Sequence, residues 1–485
     1  MADEPIASPP VPPTQRPSTL LRDALITIIS RFFLAFLILG SDVLIARVLG
    51  PTAKGRFALV LLYSQLAAVP IGWGMDAALA VVAGRDEEAA RRGMANAIWW
   101  SILVGGAFAI LSLALYGDPK SPGPIAAIIP NLSTRQFVFG AIALPGEVFF
   151  SIGLFLLIGR RLIVDFNIIR ILRRGIMVLV VVVVAIGWSV DLDVALAANL
   201  VALAASAVLI GLVAWRQGLL GLRPSPRLLL EELRFGSRAI VGSVAERLQF
   251  RMDSFLLNAM VGVRATGIYS VTSGIAETLW YIPNSLGTVM FSRAVDPNSN
   301  AGQVASVLTR TTFAVTVALS VPAWVFGPRL VRIVYGRDFT DAGVALRWIL
   351  PGIVAYSVVA ILSRYVVGRG RPGLGTFVLV TGLIVNVAAN VALIPRFGIV
   401  GAAVSSSISY TVTAVLILGA FLRMSGQGLR ETLVIQRRDV LAAVRVTRVG
   451  IERLRGTRGG PILGLPGGET AAEMVMDERE PGEER

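Results

Sequence analysis

The chain has 485 residues, of which 55% are hydrophobic and only 16% are charged. A soluble chain carries about 25% charged residues, so this composition is typical of a protein that spans a membrane. The sequence contains no histidine and no cysteine. That absence excludes thiol nucleophiles, disulfides, imidazole acid–base chemistry and zinc sites of the usual kind, and we expect no metal and no cofactor.

The net charge of +14 comes almost entirely from arginine, because Lys54 and Lys120 are the only lysines. In a soluble protein such an excess would suggest a nucleic-acid partner. In an apolar chain it is explained by basic loops that face the cytoplasm, so we expect no nucleic-acid partner.

Twelve apolar stretches follow a polar, proline-rich start, which we assign to a disordered cytoplasmic tail over residues 1–21. Each stretch is long enough to cross the ~30 Å apolar core of a bilayer. Lipid cannot satisfy open backbone groups, and the runs are long and unbroken, so we expect helices. Their approximate ranges are 25–47, 57–83, 95–116, 136–158, 174–190, 194–215, 239–261, 266–291, 312–334, 346–363, 373–394 and 399–422.

One stretch occurs twice, at residues 45–80 and 258–290. Each copy has an apolar helix, a turn bounded by glycines and a second apolar helix, and the alignment places Gly55 on Gly267. A repeat at about half the chain length predicts two pseudo-symmetric six-helix lobes around a central cavity. We therefore divide the chain into an N-lobe over 22–222, a C-lobe over 223–423 and a cytoplasmic C-terminal tail over 424–485.

The loops indicate the orientation in the membrane. We count 20 basic residues in the inner loops and N-terminal tail against 11 in the outer loops. The positive-inside rule then places both termini in the cytoplasm, and we expect a bacterial cytoplasmic membrane. Residues 431–456 mix apolar residues with arginines, which indicates either a basic helix on anionic membrane lipids or a solvated tail. The acidic end, residues 473–485, is predicted to be disordered.

A charged side chain inside a membrane-spanning segment costs free energy of insertion, so each such residue is a functional candidate. Arg247 and Arg251 lie four residues apart on the seventh span, and no acid on that helix stands three or four residues from either. Arginine suits phosphate because its planar fork binds two oxygens at once. We predict that both arginines hold a phosphate group in a central cavity. The alternatives are snorkelling or an ion pair with Asp42, Asp76 or Glu277.

Other span charges are weaker candidates. Arg31 lies six residues into the first span, roughly 9 Å deep, and is either a second phosphate contact or a snorkelling side chain. Glu277, in the middle of the eighth span, either carries a proton or pairs with an arginine. Asp42 and Asp253 have similar depths in the two lobes, which favours structural pairing. The candidate coupling or charge partners are Glu277, Asp253, Glu246, Asp42 and Asp76.

Several segments resemble a known family. Residues 46–59 are ARVLGPTAKGRFAL, which resembles the LGP-x-x-x-G turn of polysaccharide flippases, and residues 251–271 resemble the aspartate–GIYS segment that opens their second lobe. Residues 390–410, NVALIPRFGIVGAAVSSSISY, resemble the signature between spans eleven and twelve, and residues 335–352 resemble the segment before span ten. Over residues 22–423 the chain is similar to the polysaccharide-export branch of the multidrug/oligosaccharidyl-lipid/polysaccharide exporter superfamily.

The resemblance implies an all-α membrane protein with a V-shaped pair of six-helix lobes that alternate their opening. It implies a flippase, not an enzyme, that turns a polyprenyl-diphosphate-linked oligosaccharide to the outer leaflet for surface polysaccharide assembly. Other polysaccharide assembly proteins are then expected partners. Cavity arginines in such proteins are thought to receive the diphosphate. Arg31, Arg247 and Arg251 take that role here by depth and chemistry, since none lies in a diagnostic motif.

Three other functions stay open. A lipid II flippase is expected to have fourteen spans, against the twelve counted here. A cation-coupled multidrug exporter of the same superfamily would favour acids over arginines at mid-membrane. A membrane enzyme of polysaccharide assembly would need a large outer catalytic loop, and the longest outer loops here have about 20 residues.

Overall fold

The computed structural model describes residues 17–118, 121–237, 240–295, 299–437 and 439. Nearly all of these residues are helical, apart from a short hairpin in which β1 (Gly117–Asp118) pairs antiparallel with β2 (Ser121–Pro122). The predicted all-α fold is confirmed. Residues 1–16 of the predicted N-terminal tail lie outside the described residues, and α1 begins at Pro17.

The first half of the chain forms eight helices among the described residues. They are α1 (Pro17–Gly72), α2 (Met75–Ala83), α3 (Glu87–Trp100), α4 (Gly106–Tyr116), α5 (Pro124–Ile128), α6 (Thr134–Gly159), α7 (Ile163–Gly187) and α8 (Leu192–Arg216). A π-helical turn, Ser101–Gly105, joins α3 to α4 without a break.

The second half contributes eight more helices to the described part. They are α9 (Pro226–Ser237), α10 (Ile240–Met260), α11 (Val263–Thr278), α12 (Tyr281–Val295), α13 (Ala301–Val334), α14 (Thr340–Gly368), α15 (Pro372–Ser425) and α16 (Leu429–Leu433). A 3-10 turn, Arg337–Phe339, precedes α14.

Two of these helices are each a pair of crossing segments. In α1 the backbone leaves helical geometry at Gly50, with φ 71°, and in α15 it does so at Gly398, with φ 54°. Both angles lie in the left-handed region that glycine tolerates best. We count α2 with the second segment of α1, count α3–α4 and α11–α12 each as one, and leave out α5, α9 and α16. With the two divisions, the described residues then form the twelve predicted crossing segments.

Helix length and composition alone identify fewer than twelve membrane-crossing helices. Seven helices of the described chain are long and apolar enough to cross a membrane. The arginine-bearing helices α7 and α10 are not among them, and α1 and α15 each count once. The chain is therefore a multi-pass membrane protein, with some crossing segments too charged or too interrupted to be recognised singly.

The two copies of the repeat pack against each other. A Cβ built on Gly55 of α1 would lie 2.0 Å from the Val263 carbonyl oxygen, and one built on Gly267 of α11 would lie 1.9 Å from the Pro51 carbonyl oxygen. Both distances are too short for any side chain, so the aligned glycines permit backbone contact between the lobes. The sequence repeat therefore marks the place where the lobes meet.

Further contacts join the lobes near this crossing. Arg47 donates from Nε to the Val334 carbonyl oxygen at 2.7 Å, at the C-terminal end of α13. Asn258 at the end of α10 donates from Nδ2 to the Pro130 carbonyl oxygen at 2.7 Å, and Asn131 donates back to Asn258 Oδ1 at 3.2 Å. In the predicted topology all of these residues lie at the outer face. The lobes are thus closed on that side.

The connector between the halves packs on N-lobe helices. In α9, Glu231 accepts a hydrogen bond from Arg85 at 2.5 Å, and Glu232 accepts one from Asn96 of α3 at 2.9 Å. Asn96 also accepts from the Ser225 backbone N–H at 2.8 Å. The domain boundary drawn at 222/223 stays a prediction, and the helix directly after it is held by the N-lobe.

The start of the C-terminal tail is fixed to the C-lobe. Arg310 of α13 is almost completely buried and donates from Nε and Nη2 to both carboxylate oxygens of Asp439, each at 2.6 Å. Its Nη1 donates to the Glu431 carbonyl oxygen at 2.8 Å. Residues 440–456 of the predicted basic segment, and the acidic end, lie outside the described residues.

Candidate functional site

A cavity of about 500 Å³ lies between α1, α6, α7, α8 and α10. Its charged lining residues are Asp76, Glu147, Arg170, Arg173, Arg174 and Arg247. Four arginines against two acids leave an excess of positive charge at a site shielded by apolar helices. We call this space the cationic cavity. Its chemistry suits an anionic ligand, because charges in a shielded site interact more strongly than in bulk water.

Three of the cavity arginines come from one helix. Arg170, Arg173 and Arg174 are three and four residues apart on α7, so they share a face. Arg173 forms an ion pair with Glu147 of α6, and its guanidinium lies 4.2 Å from the centroid of the Phe150 ring. These contacts hold α7 against α6 and fix the arginines toward the cavity.

Two cavity arginines lack a carboxylate partner among the described residues. Arg174 contacts the Met177 sulfur at 3.9 Å and forms no ion pair with any described residue. The side chain of Arg247 on α10 makes neither a hydrogen bond nor an ion pair within the described part of the chain. Arg174 belongs to the N-lobe and Arg247 to the C-lobe. An anion between them would contact both lobes at once.

The three arginines predicted to bind phosphate lie in different surroundings. Arg247 lines the cationic cavity, as the prediction required, although its role there stays a prediction. Arg31 lies within α1, and its side chain is outside the described residues. Arg251 donates from Nη1 and Nη2 to the two carboxylate oxygens of Glu277, at 2.5 and 2.9 Å. This is the ion pair given above as the alternative for Arg251, and phosphate binding there would require the pair to open.

The remaining span acids have partners in the described structure. Asp253 is buried and accepts from the Tyr269 hydroxyl at 2.5 Å. Glu246 accepts from the Tyr356 hydroxyl at 3.2 Å. Asp42 forms an ion pair of 2.5 Å with Lys54. Asp76 differs from these three acids because it lines the cationic cavity. Its Oδ1 accepts a hydrogen bond from the backbone N–H of the next residue.

Four aromatic rings fill the C-lobe beside the Arg251–Glu277 pair. They belong to Phe250, Trp280, Tyr356 and Tyr410, and the six centroid separations all lie between 4.7 and 5.8 Å. Tilted and edge-on contacts at such distances are favourable. The rings therefore pack against each other at this position.

The α7 arginines were not predicted as site residues. Arg170, Arg173 and Arg174 are among the basic residues assigned above to the inner loops, because the apolar run starts after them and the predicted span begins at residue 174. In the structure α7 begins at Ile163, so the arginines are already within the helix. Their spacing was the available signal. Arg173 and Arg174 lie three and four residues after Arg170, which places all three on one helical face.

A second, wholly apolar cavity of about 350 Å³ adjoins the first. It lies between α1, α5 and α10, and Val69 lines both cavities. On α10, Arg247 faces the cationic cavity, whereas Val244 and Leu248 face the apolar one. We call this second space the apolar crevice. Together the two spaces match an amphiphile with an anionic head.

Family models match most of the chain. The model described as polysaccharide biosynthesis protein matches residues 44–343. The model described as lipid II flippase MurJ matches residues 256–449. The first of these matches covers more than half of the 485 residues.

A curated relative supports the same assignment over a shorter region. The probable low-salt glycan biosynthesis flippase Agl15 of Haloferax volcanii is 27% identical over 209 residues, which is 40% of this chain and 42% of that protein. The chain thus spans about two fifths of the length of the curated relatives that it matches.

Solved structures share the fold. The lipid II flippase MurJ in an inward closed conformation matches with a TM-score of 0.71 at 13% identity, over 87% of this chain and 92% of that one. An inward-facing MATE family multidrug resistance transporter of the MOP superfamily matches with a TM-score of 0.63 at 18% identity, over 83% and 98%. The predicted two-lobe, twelve-helix architecture is confirmed.

Proposed function

Because this chain belongs to the polysaccharide biosynthesis protein family, we propose that it is a flippase for an oligosaccharide linked to a polyprenyl diphosphate. The proposal rests on one observation above all. The cationic cavity holds four arginines and two acids, and neither Arg174 nor Arg247 has a carboxylate partner among the described residues. A diphosphate would supply the negative charge that the protein itself does not.

The chemistry of the cavity fits a diphosphate. Guanidinium groups donate paired hydrogen bonds to phosphate oxygens, and such charge-assisted bonds are stronger than neutral ones. Arg173 is engaged with Glu147, so Arg174 and Arg247 are the available donors with the fewest competing contacts. Binding would thus draw on one arginine from each lobe. Of the residues first predicted, Arg247 remains in the proposal and Arg251 becomes a structural partner of Glu277.

The apolar crevice supports a lipid carrier. It has only apolar surface and shares Val69 with the cationic cavity, so a diphosphate in the cavity would have an apolar wall within reach. The first isoprene units of the carrier would pack against Val244 and Leu248 of α10. Burial of apolar surface contributes about 25 cal/mol per Å². The sugar would remain in the wet part of the cavity.

Movement across the membrane would proceed by alternating access. The contacts of Arg47, Asn131 and Asn258 and the glycine crossing close the lobes on one face. Opening that face requires these contacts to separate and the opposite ends of the lobes to approach. We place the closed face outside, both termini in the cytoplasm and the protein in a bacterial cytoplasmic membrane, as the arginine distribution favours. Other polysaccharide assembly proteins are proposed partners.

A flipping assay tests the proposal. The protein would be reconstituted in liposomes with a fluorescent polyprenyl-diphosphate oligosaccharide, and a membrane-impermeant quencher would report the lipid that reaches the opposite leaflet. We expect protein-dependent transfer. Protein-free liposomes and liposomes with an unrelated membrane protein are the controls. Absence of transfer with several different glycans, in folded protein, would contradict the proposal.

A lipid II flippase is the second candidate. The MurJ family model matches residues 256–449, and the MurJ structure matches with a TM-score of 0.71. The same assay separates the two functions if lipid II replaces the oligosaccharide lipid. Transfer of lipid II at a higher rate than any oligosaccharide lipid would favour this candidate.

A further inference from the structure

We propose a second anion site at one end of the C-lobe, away from the cationic cavity, for a phosphate group. Arg369, Arg371 and Arg423 line a cavity of about 640 Å³ there. The site depends neither on the proposed transport function nor on any residue of the cationic cavity. We call it the helix-end site, because the start of α13, the end of α14 and both ends of α15 meet around it.

One arginine of this site is held in place. Arg369 is partly buried, donates from Nη2 to the Ser299 carbonyl oxygen at 3.2 Å, and has its guanidinium 5.9 Å from the centroid of the buried Tyr365 ring. A guanidinium has five donors in a fixed fork, and this hydrogen bond uses only one nitrogen. The remaining donors are therefore positioned for a ligand without further ordering of the side chain.

The other two arginines are not neutralised. Neither the Arg371 nor the Arg423 side chain makes a hydrogen bond or ion pair within the described residues, and no described acid lines the cavity. Three guanidinium groups that share one cavity repel each other unless an anion lies between them.

Another arginine-lined cavity of the same protein gives the comparison. Arg91, Arg92 and Arg223 line a cavity near α3 and α9 that also contains Glu88. There Arg92 donates to Glu88 at 2.7 Å, so a carboxylate of the protein occupies the position that an external anion would take. An excess of inner-loop arginine explains both cavities, but it does not explain why only the helix-end site lacks an acid among its described lining residues.

The start of α13 adds donors to the arginine cluster. This 34-residue helix has no acidic residue in its first turn, and Asn300 at its N-cap gives no side-chain hydrogen bond. The first-turn N–H groups and the positive end of the helix dipole therefore face the cavity without an acidic cap. The arginines carry the proposal, and the helix start strengthens the field that they create.

The ligand is identified by this chemistry as a phosphate group with at least one free oxygen charge. Basic pockets between membrane helices on the cytoplasmic side bind anionic lipid head groups, and a soluble phosphate would satisfy the same donors. In the predicted topology the helix-end site lies at the cytoplasmic surface, within reach of both sources.

Native mass spectrometry of the full chain distinguishes the sources. Purified protein would be mixed with phosphatidylglycerol, with phosphatidylcholine or with inorganic phosphate, and the bound fraction would be measured. The test variant is Arg371→Gln with Arg423→Gln. The matched control is Arg91→Gln with Arg223→Gln, which removes the same charge from the cavity that contains Glu88. A third variant, Arg371→Lys with Arg423→Lys, keeps the charge and loses the fork.

We expect wild type and control to retain one phosphatidylglycerol, the glutamine variant to bind it at least about tenfold more weakly, and the lysine variant to be intermediate. The same pattern with inorganic phosphate, but not with the lipid, would assign a soluble phosphate instead. Equal binding by the glutamine variant and the control, for both anionic probes, would overturn the site. If this double variant fails to fold, the single variant Arg371→Gln takes its place, and binding of both anionic probes at the wild-type level would overturn the site.

Discussion

The cationic cavity and the interior of the C-lobe use arginine in opposite ways. Three arginines of α7 and one of α10 line the cationic cavity, and two of these four lack a carboxylate partner in the described structure. In the C-lobe, Arg251 is matched to Glu277 by two hydrogen bonds, and four aromatic rings fill the space beside the pair. The two regions therefore differ in whether the protein itself neutralises the charges of its arginines.

This difference separates a binding role from a structural one. A charge withdrawn from water is costly unless a partner compensates it. Glu277 compensates Arg251 within the protein, whereas Arg174 and Arg247 depend on water or on a ligand. The proposed diphosphate site follows from that contrast. Three changes test it and one tests the lobe connector, beginning with the change of largest expected effect.

Removal of the uncompensated arginines should nearly abolish transport. We expect Arg174→Gln with Arg247→Gln to slow flipping of the diphosphate-linked lipid about 100-fold, because each loses a charge-assisted bond to phosphate. The exposed pair Arg216→Gln with Arg264→Gln is the matched control and should stay near the wild-type rate. Equal rates in the two double variants would contradict the account.

Breaking the compensated pair should instead cost stability. Arg251→Ala leaves the Glu277 carboxylate without its partner, and we expect the free energy of unfolding to fall by about 2–3 kcal/mol, since both side chains are only 30% exposed. The double variant Arg251→Gln with Glu277→Gln should recover most of the loss. Thermal unfolding in detergent measures both. A double variant as unstable as the single one would show that the pair is not what holds this position.

The lobe connector should respond to pH. Burial raises the pKa of the Glu232 carboxyl from 4.5 to about 7. The folded protein binds this proton more tightly than the unfolded chain, so the stabilisation is complete below about pH 4.5 and is lost as pH rises through about 7. Glu232→Gln should therefore stabilise the protein at pH 8 by on the order of 1 kcal/mol and leave it unchanged at pH 4.5. An unaltered pH profile of the thermal midpoint would refute this.

Filling the apolar crevice should have the smallest effect. Leu248→Trp occupies space beside the cationic cavity, and we expect the affinity for a long-chain polyprenyl diphosphate to fall about fivefold, with binding of inorganic pyrophosphate unchanged. Val241→Trp places a tryptophan at an exposed position of α10 and is the control. A loss that is equal for lipid and pyrophosphate would place the crevice outside the carrier site.

The fold was accessible from the sequence. Apolar stretches of membrane length and the repeat predicted twelve helices in two lobes, and the family match confirms the resemblance drawn from the turn at Gly50 and the segments near residues 251 and 390. Local sequence carries this information, because each crossing helix must be apolar along its own length. The glycine pair Gly55 and Gly267 was visible as a repeat, but its role as a backbone contact required the structure.

The site was only partly accessible. Arg247 was predicted from its position within a span, whereas the α7 arginines precede the apolar run of their helix and were counted as loop charges, although their spacing places them on one helical face. For Arg251 the sequence suggested three acids as possible ion-pair partners, and only the packing of α10 against α11 identifies Glu277 as the partner. The aromatic cluster joins residues from 250 to 410 and has no local period to reveal it.

The most direct test of the central claim is binding rather than transport. Native mass spectrometry would measure retention of a polyprenyl diphosphate by wild type, by Arg174→Gln with Arg247→Gln, and by Arg251→Gln with Glu277→Gln. The account predicts retention by wild type and by the C-lobe variant, and loss in the cavity variant. Retention by the cavity variant together with loss in the C-lobe variant would contradict it and would place the diphosphate at Arg251.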